Sequence, residues 1–222
     1  ESDGTLYVKA NMEISVAATK SFLAQISCLA LIAMFLGQKK GRLTTRQVKS
    51  LYYELRETPS QIEDILQDTS VIEEVAKAHS VMYVGRGIGS PICNEGALKL
   101  KEISYLHAEA YPAGALKHGP IALLDENVPV VAVVTESPTR MQTLSNVQEI
   151  LARGSRVVAV ATEGDQEVAD IADYVFYIPP IADWCTAITA SVPLQLFARY
   201  VAIERGCDVD KPRNLAKSVT VE

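Results

Sequence analysis

The stretch Val81-Met82-Tyr83-Val84-Gly85-Arg86-Gly87-Ile88-Gly89-Ser90 runs four apolar residues straight into a glycine-rich turn. A run that short, bounded by glycine, predicts a buried strand whose turn opens the next helix. Three more apolar, β-branched runs follow, at Val128 to Val134, Arg156 to Thr162 and Tyr174 to Ile178. Helical patterns separate them, over Ile92 to Ile103, Thr139 to Arg153, and from about Ala182 to Glu204. Strands apolar throughout and alternating with helices predict an α/β fold, a doubly wound parallel sheet flanked by helices, over residues 71–212.

Upstream the pattern is helical. Met12 to about Leu36 predicts one helix, closed by Gly37 and the basic Lys39-Lys40-Gly41 cluster. Its apolar part, Phe22 to Leu36, falls short of the ~20 residues of a membrane span, which predicts a buried or dimer-forming helix. Thr44 or Thr45 caps a second helix to about Glu57; Pro59 predicts a break, and Ser60-Gln61-Ile62-Glu63 a new helical start. Thr5-Leu6-Tyr7-Val8 reads as a short strand without a partner before it. Together with the missing initiator Met, this predicts a fragment of a longer gene product.

Composition narrows the function classes. The 222 residues carry 21 basic and 27 acidic side chains, a formal charge of −6, and no Lys/Arg run, which excludes a nucleic-acid binder. Cys28, Cys93, Cys185 and Cys207 lie far apart with no C-x-x-C pair, which predicts a reducing compartment with neither zinc site nor disulfide framework. With no leader-like basic and apolar opening, the expectation is a soluble cytoplasmic protein with no membrane partner, metal or cofactor.

Ligands of open parallel sheets bind outside the strands' carboxyl ends, where Gly85 to Ser90 lies. That loop fits either a phosphate cradle or a tight strand-to-helix turn. Further along, Glu95, Lys99 and Glu102 are spaced to share one helix face. On a solvated face they are ordinary salt-bridge partners; turned to a ligand, Lys99 would orient a carboxylate for proton transfer. His118, before Gly119-Pro120, reads as a ligand-reaching imidazole or a structural cap, and His79 as surface. The ending Asn214 to Glu222 is apolar enough to dock, which would draw Lys217 into a partly dry site as a carbonyl nucleophile. A surface lysine on a mobile tail is the alternative.

Three segments, Glu95-Gly96-Ala97-Leu98-Lys99-Leu100-Lys101-Glu102-Ile103-Ser104-Tyr105, His107-Ala108-Glu109-Ala110-Tyr111 and Leu116-Lys117-His118-Gly119-Pro120, occur in order before the ending Pro212 to Glu222. The whole chain thereby resembles the isomerase half of the glucosamine-6-phosphate synthase family, the glutamine:fructose-6-phosphate aminotransferases. The resemblance implies paired sugar-isomerase (SIS) modules with flavodoxin-like sheets. Residues 1–69 would be the end of the first module, 71–212 the second, and 213–222 a tail closing the sugar site.

In that family, fructose 6-phosphate and ammonia give glucosamine 6-phosphate through an imine at C2 and a C1–C2 proton shift. By the resemblance, Lys217 forms the Schiff base with the open-chain sugar and Glu102 moves the proton. Lys99 is its helical neighbour, and His118 serves ring opening from the neighbouring subunit of a homodimer. The backbones of Val16 and Ala216 would line the sugar site. The family's N-terminal glutaminase domain and the phosphate loops of its first module are absent from this sequence. The expectation is therefore that this chain alone is impaired and partners the glutaminase part of its gene product. Ala18 stands where the family has serine, removing a hydroxyl expected near substrate. The competing readings are a non-catalytic SIS sugar-phosphate sensor and a simple aldose–ketose phosphate isomerase. A sensor has no need of Glu102, His118 and Lys217 together.

Overall fold

The structure, a computed structural model, describes residues 3–67 and 73–217. Five strands form one sheet, β1 (Ser80–Gly85), β2 (His107–Pro112), β3 (Val130–Val134), β4 (Val157–Thr162) and β5 (Tyr174–Ile178). They lie in the order β2-β1-β3-β4-β5 and every neighbouring pair is parallel. This is the doubly wound, flavodoxin-like order. Residues of one strand alternate between two cores. Val81, Tyr83, Val131, Val133, Val158 and Val160 face one side, and Met82, Val84, Val130, Ala132, Val157 and Ala159 the other. A sheet covered on both faces needs both sets apolar, which is why its strands read as unbroken hydrophobic runs.

The first core is covered by α4 (Gly89–Ser104) and α8 (Ser191–Glu204), the second by α5 (Arg140–Leu151) and α6 (Gln166–Ala169). Four strands match the sequence reading. The fifth, β2, has only the residues His-Ala-Glu-Ala-Tyr-Pro and lies at the sheet's edge, where its strand conformation comes from its ladder with β1, from Ser80 opposite His107 to Gly85 opposite Pro112.

Several expectations need correction upstream. Thr5 to Val8 is not a strand, and Leu6 and Tyr7 are exposed. The first helix, α1 (Lys20–Lys39), begins eight residues later than Met12. Its start is tied by Glu13, whose carboxylate accepts from the Thr19 amide at 2.8 Å and from the Ser21 hydroxyl at 2.5 Å. Acceptance of helix-start donors by an upstream carboxylate satisfies groups the helix itself leaves unpaired.

Nor is α1 buried: of its residues only Met34 is, while Leu29 and Phe35 are 64% and 56% exposed. By length and composition alone α1 is long and apolar enough to cross a membrane, as is the run Asp183–Glu204, but the latter is mostly buried in the protein core. The inner face of α1 packs through Leu23, Ile26, Ala30 and Met34 in a small core with Leu55, Ile188 and Trp184.

Pro59 does not break the second helix. Thr44 caps α2 (Thr45–Ile65) through a capping box with Gln47, and the helix runs through the proline. A proline at 59 cannot donate to the Leu55 carbonyl. The Thr58 hydroxyl does so instead, at 2.8 Å and buried, and Ser60 bonds the Glu57 carbonyl at 2.9 Å. The predicted helix from Ala182 is divided, into a 3-10 turn at Asp183–Cys185, α7 (Thr186–Thr189) and α8. Pro193 falls in the first turn of α8, where its missing N–H costs no bond.

A short helix, α3 (Glu73–Ala76), precedes β1. Arg205 ties this end of the molecule together, donating to the carbonyls of Ser104 at 3.0 Å and Ala76 at 2.6 Å.

Candidate active site

The helix face predicted from the spacing of Glu95, Lys99 and Glu102 turns inward. The Lys99 ammonium lies 2.6 Å from Glu102 Oε2 and 3.6 Å from Glu95 Oε1. Lys99 is only 4% exposed and Glu95 8%. Charges that deep must be paired, and here one cation serves two carboxylates. Burial pushes the Glu95 carboxyl above its ordinary value; Lys99 opposes this and the Glu102 charge adds to it. Beside Lys99 a cavity of about 280 Å³ opens, walled by Ser15, Thr19, Gln195, Arg199 and Asp210. Gln195 Nε2 is buried there without a hydrogen-bond partner among the described residues.

This group is not at the carboxyl ends of the strands. Helix α4 starts beside the end of β1 and returns to the start of β2, so Glu102, in its last turn, sits toward the strands' amino ends. The crevice position belongs to the Gly85 to Ser90 loop, and that loop is a tight turn. The Gly89 amide bonds the Arg86 carbonyl at 2.8 Å and the Ser90 amide that of Gly87 at 3.3 Å. Gly87 has φ +53°, and a Cβ on Gly85 would meet the Gly89 backbone at 2.6 Å. These glycines therefore serve the turn itself.

The two ends of the chain meet next to the cavity. The Ser15 hydroxyl donates to the Val209 carbonyl at 3.0 Å, and the Val16 amide to that of Asp210 at 3.1 Å. Asp208 holds the following bend by accepting from the amides of Asp210 and Lys211. Tyr105, left-handed at φ +61° at the end of α4, then catches the tail: its hydroxyl accepts from the Arg213 amide at 2.8 Å, and the Arg213 guanidinium lies 4.2 Å over its ring.

The anchored tail brings Lys217 Nζ to 3.3 Å from Glu13 Oε2. Lys217 is thus a held lysine, but it is about half exposed and does not sit in the dry site expected of it. Burial raises the Glu13 carboxyl, but the Ser21 hydroxyl, the Thr19 amide and Lys217 outweigh that and bring it down to about 2. Ser218 to Glu222, whose apolar residues predicted docking, lie outside the described residues.

Val16 and Ala216 flank this junction, the first half-buried and the second exposed. His118 is not among these neighbours. It ends the 3-10 turn Ala113–His118 that follows β2, exposed, with no contact to Lys99, Glu102 or Lys217 among the described residues. His79 is exposed as expected. No group of three or more His, Cys, Asp or Glu side chains is placed to hold a metal ion among the described residues.

Sequence reasoning missed Glu13 and Gln195. An acidic residue shortly before a helix start is a usable signal. Starting the helix at Met12 placed Glu13 inside it and hid that signal.

Residues 74–205 match the model of the SIS domain family. The chain is 47% identical to the glutamine--fructose-6-phosphate aminotransferase [isomerizing] of Thermus thermophilus, over 100% of this chain and 37% of that protein. The enzyme of the same name from Methanosarcina mazei is also 47% identical, with the same coverage. The chain thus spans 37% of the length of these curated relatives. Among solved structures, the C-terminal domain of glucosamine-fructose-6-phosphate aminotransferase from Francisella tularensis superposes with a TM-score of 0.86. It is 39% identical, over 91% of this chain and 58% of that one. Tagatose-6-phosphate ketose/aldose isomerase from Escherichia coli, at TM-score 0.70 and 24% identity, covers 91% of this chain and 55% of its own, and shares the fold.

Proposed function

The chain belongs to the SIS domain family, and from that premise we propose that it is the isomerase part of a glucosamine-6-phosphate synthase. Its substrates are fructose 6-phosphate and ammonia, its product glucosamine 6-phosphate. The observation that carries this reading is the buried Glu95–Lys99 pair with the partly exposed Glu102 beside a cavity, and Lys217 tied down at the junction of the two chain ends.

Each chemical need of the reaction has a residue. Carbonyl capture needs a primary amine, which Lys217 supplies: its nitrogen bonds C2 of the open-chain sugar, water leaves, and an imine results. Ammonia then adds at C2 and the Lys217 amine leaves, so the C2 imine that undergoes the shift carries the nitrogen of ammonia. The C1–C2 shift needs a positioned carboxylate. Glu102 takes the proton from one carbon and returns it to the other, oriented by Lys99. Ring opening needs a side chain that can both give and take a proton, which the His118 imidazole supplies. His118 stands apart from the other three, so this reading takes it from a second copy of the chain, as a homodimer. Val16 and Ala216 line the sugar through their backbones, and the missing hydroxyl at Ala18 falls on that lining.

The same reading assigns residues 1–69 to the end of a first SIS module, 71–212 to a second, and 213–222 to a closing tail. An upstream glutaminase part of the gene product supplies the ammonia, and upstream loops of the first module hold the phosphate. Upstream chain or a second copy covers the open face of α1. The 37% share of the curated relatives that the chain spans supports a longer gene product. Four unpaired cysteines suit a reducing compartment, and we place the protein in the cytoplasm.

Borohydride trapping with fructose 6-phosphate, read by peptide mass spectrometry on this chain and on the full gene product, tests the reading. A hexose-phosphate adduct on Lys217 is expected in the longer protein. Its absence from both puts the sensor reading ahead. Product formed from the sugar phosphate alone, without ammonia, puts the aldose–ketose isomerase ahead.

A further inference from the structure

We propose that Glu13 is the positioning residue for Lys217, a carboxylate fixed by the start of α1 that sets where the amine stands. The proposal rests on the Schiff-base reading of Lys217 and adds to it a residue from the far end of the chain.

The arrangement is asymmetric. Glu13 is held rigidly: its side chain is 10% exposed, Oε1 accepts from the Thr19 amide at 2.8 Å, and Oε2 accepts from the Ser21 hydroxyl at 2.5 Å. Lys217, its partner at 3.3 Å on Oε2, is half exposed and sits on a tail without regular structure. A fixed anion facing a long, flexible cation decides the position of the cation. Three further contacts bring the tail within reach, at Ser15–Val209, Val16–Asp210 and Tyr105–Arg213. None of them touches the lysine itself, and Glu13 is its only hydrogen-bond partner among the described residues.

The charge balance suits this role. The ammonium releases a proton to solvent, the neutral amine displaces the carbonyl oxygen as water, and the imine takes a proton back as an iminium. Nitrogen is cationic before and after, so one carboxylate serves both states. Glu13 is not the acceptor of that proton, because its donors keep it a weak base.

The test is Glu13→Gln in the full gene product, which keeps an acceptor for the Thr19 amide, turns an amide donor towards the Ser21 hydroxyl and removes the charge. The rate of borohydride labelling at Lys217 and kcat are both expected to fall by about 10-fold or more, with KM for fructose 6-phosphate within about 2-fold. Glu13→Asp, which keeps the charge, is expected to recover part of that loss, which a purely structural role would not produce. Labelling of Glu13→Gln at the parent rate overturns the proposal. If Glu13→Gln does not fold, Ser21→Ala decides: it keeps the charge but removes the donor that fixes Oε2, the oxygen facing Lys217, and unchanged labelling there overturns the proposal equally. A parent protein with no adduct at Lys217 removes the Schiff-base reading itself, a result distinct from labelling that survives the loss of Glu13.

Discussion

The Lys99 ammonium and the Glu102 carboxylate stand 2.6 Å apart on a face of α4 that the fold turns inward. Glu95 approaches the same ammonium from the other side at 3.6 Å, so the group holds one positive and two negative ends. A partly exposed carboxylate such as Glu102 is most useful for moving protons when its charge is neither freely solvated nor fully neutralised. Glu102→Gln keeps the shape and removes the base. It is expected to lower exchange of the substrate's C1 and C2 protons with deuterated solvent by roughly 100-fold or more, as measured by NMR. Exchange at the parent rate would reassign the base.

Lys217→Ala in the full gene product is expected to abolish amino-sugar synthesis. Because the side chain is half exposed, its loss should move stability by no more than about 0.5 kcal/mol. Product assay together with a denaturant titration checks both halves. Normal glucosamine 6-phosphate output would remove Lys217 from the mechanism.

Thr58→Val tests the repair of α2 at its proline. The exchange keeps the size and removes the hydroxyl that satisfies the Leu55 carbonyl in a buried position. A destabilisation of about 1–3 kcal/mol is expected from urea unfolding. An unchanged midpoint would mean that water reaches the carbonyl.

Gly96→Ala tests the crossing of α4 and α8. A Cβ there would lie 2.7 Å from Leu194 Cδ1 and 2.9 Å from the Tyr83 ring. The expected cost is about 1–3 kcal/mol, despite alanine's better helix propensity, because these neighbours are fully buried. A more stable variant would show that Leu194 moves aside freely.

Acid unfolding reports on Glu13. Its carboxyl lies at about 2 in the fold against 4.5 unperturbed, so its stabilisation is full above about pH 4.5 and is lost as pH falls towards 2. Asp165, lowered by Arg140 and the Val168 amide against the pull of burial, adds a loss of the same sign. Glu13→Gln should lack the first component only. The stability gap between parent and variant is therefore expected to close as pH drops from about 4.5 to about 2, followed by urea unfolding across that range. A constant gap would contradict the ionised, donor-held state of Glu13.

The sheet was readable from local pattern, because a strand buried on both faces must be apolar at every position. Val131 to Val134 and Val158 to Ala161 satisfy that rule whatever surrounds them. The spacing that puts Glu95, Lys99 and Glu102 on one face is also local, since helix geometry alone sets it. The rest depends on contacts between distant segments. The edge strand β2 carries little strand preference and exists because β1 offers it a ladder. The continuity of α2 depends on one hydroxyl placed beside a proline, a contact that propensity does not record. Whether the charged face of α4 met water or protein was set by the packing of α8 and by residues 15–19. The pairing of Glu13 with Lys217 spans 204 positions, and no periodicity reaches that far. Helix and strand patterns report which atoms repeat along a few turns of chain. Which of those patterns meet is decided by the shape of the whole core.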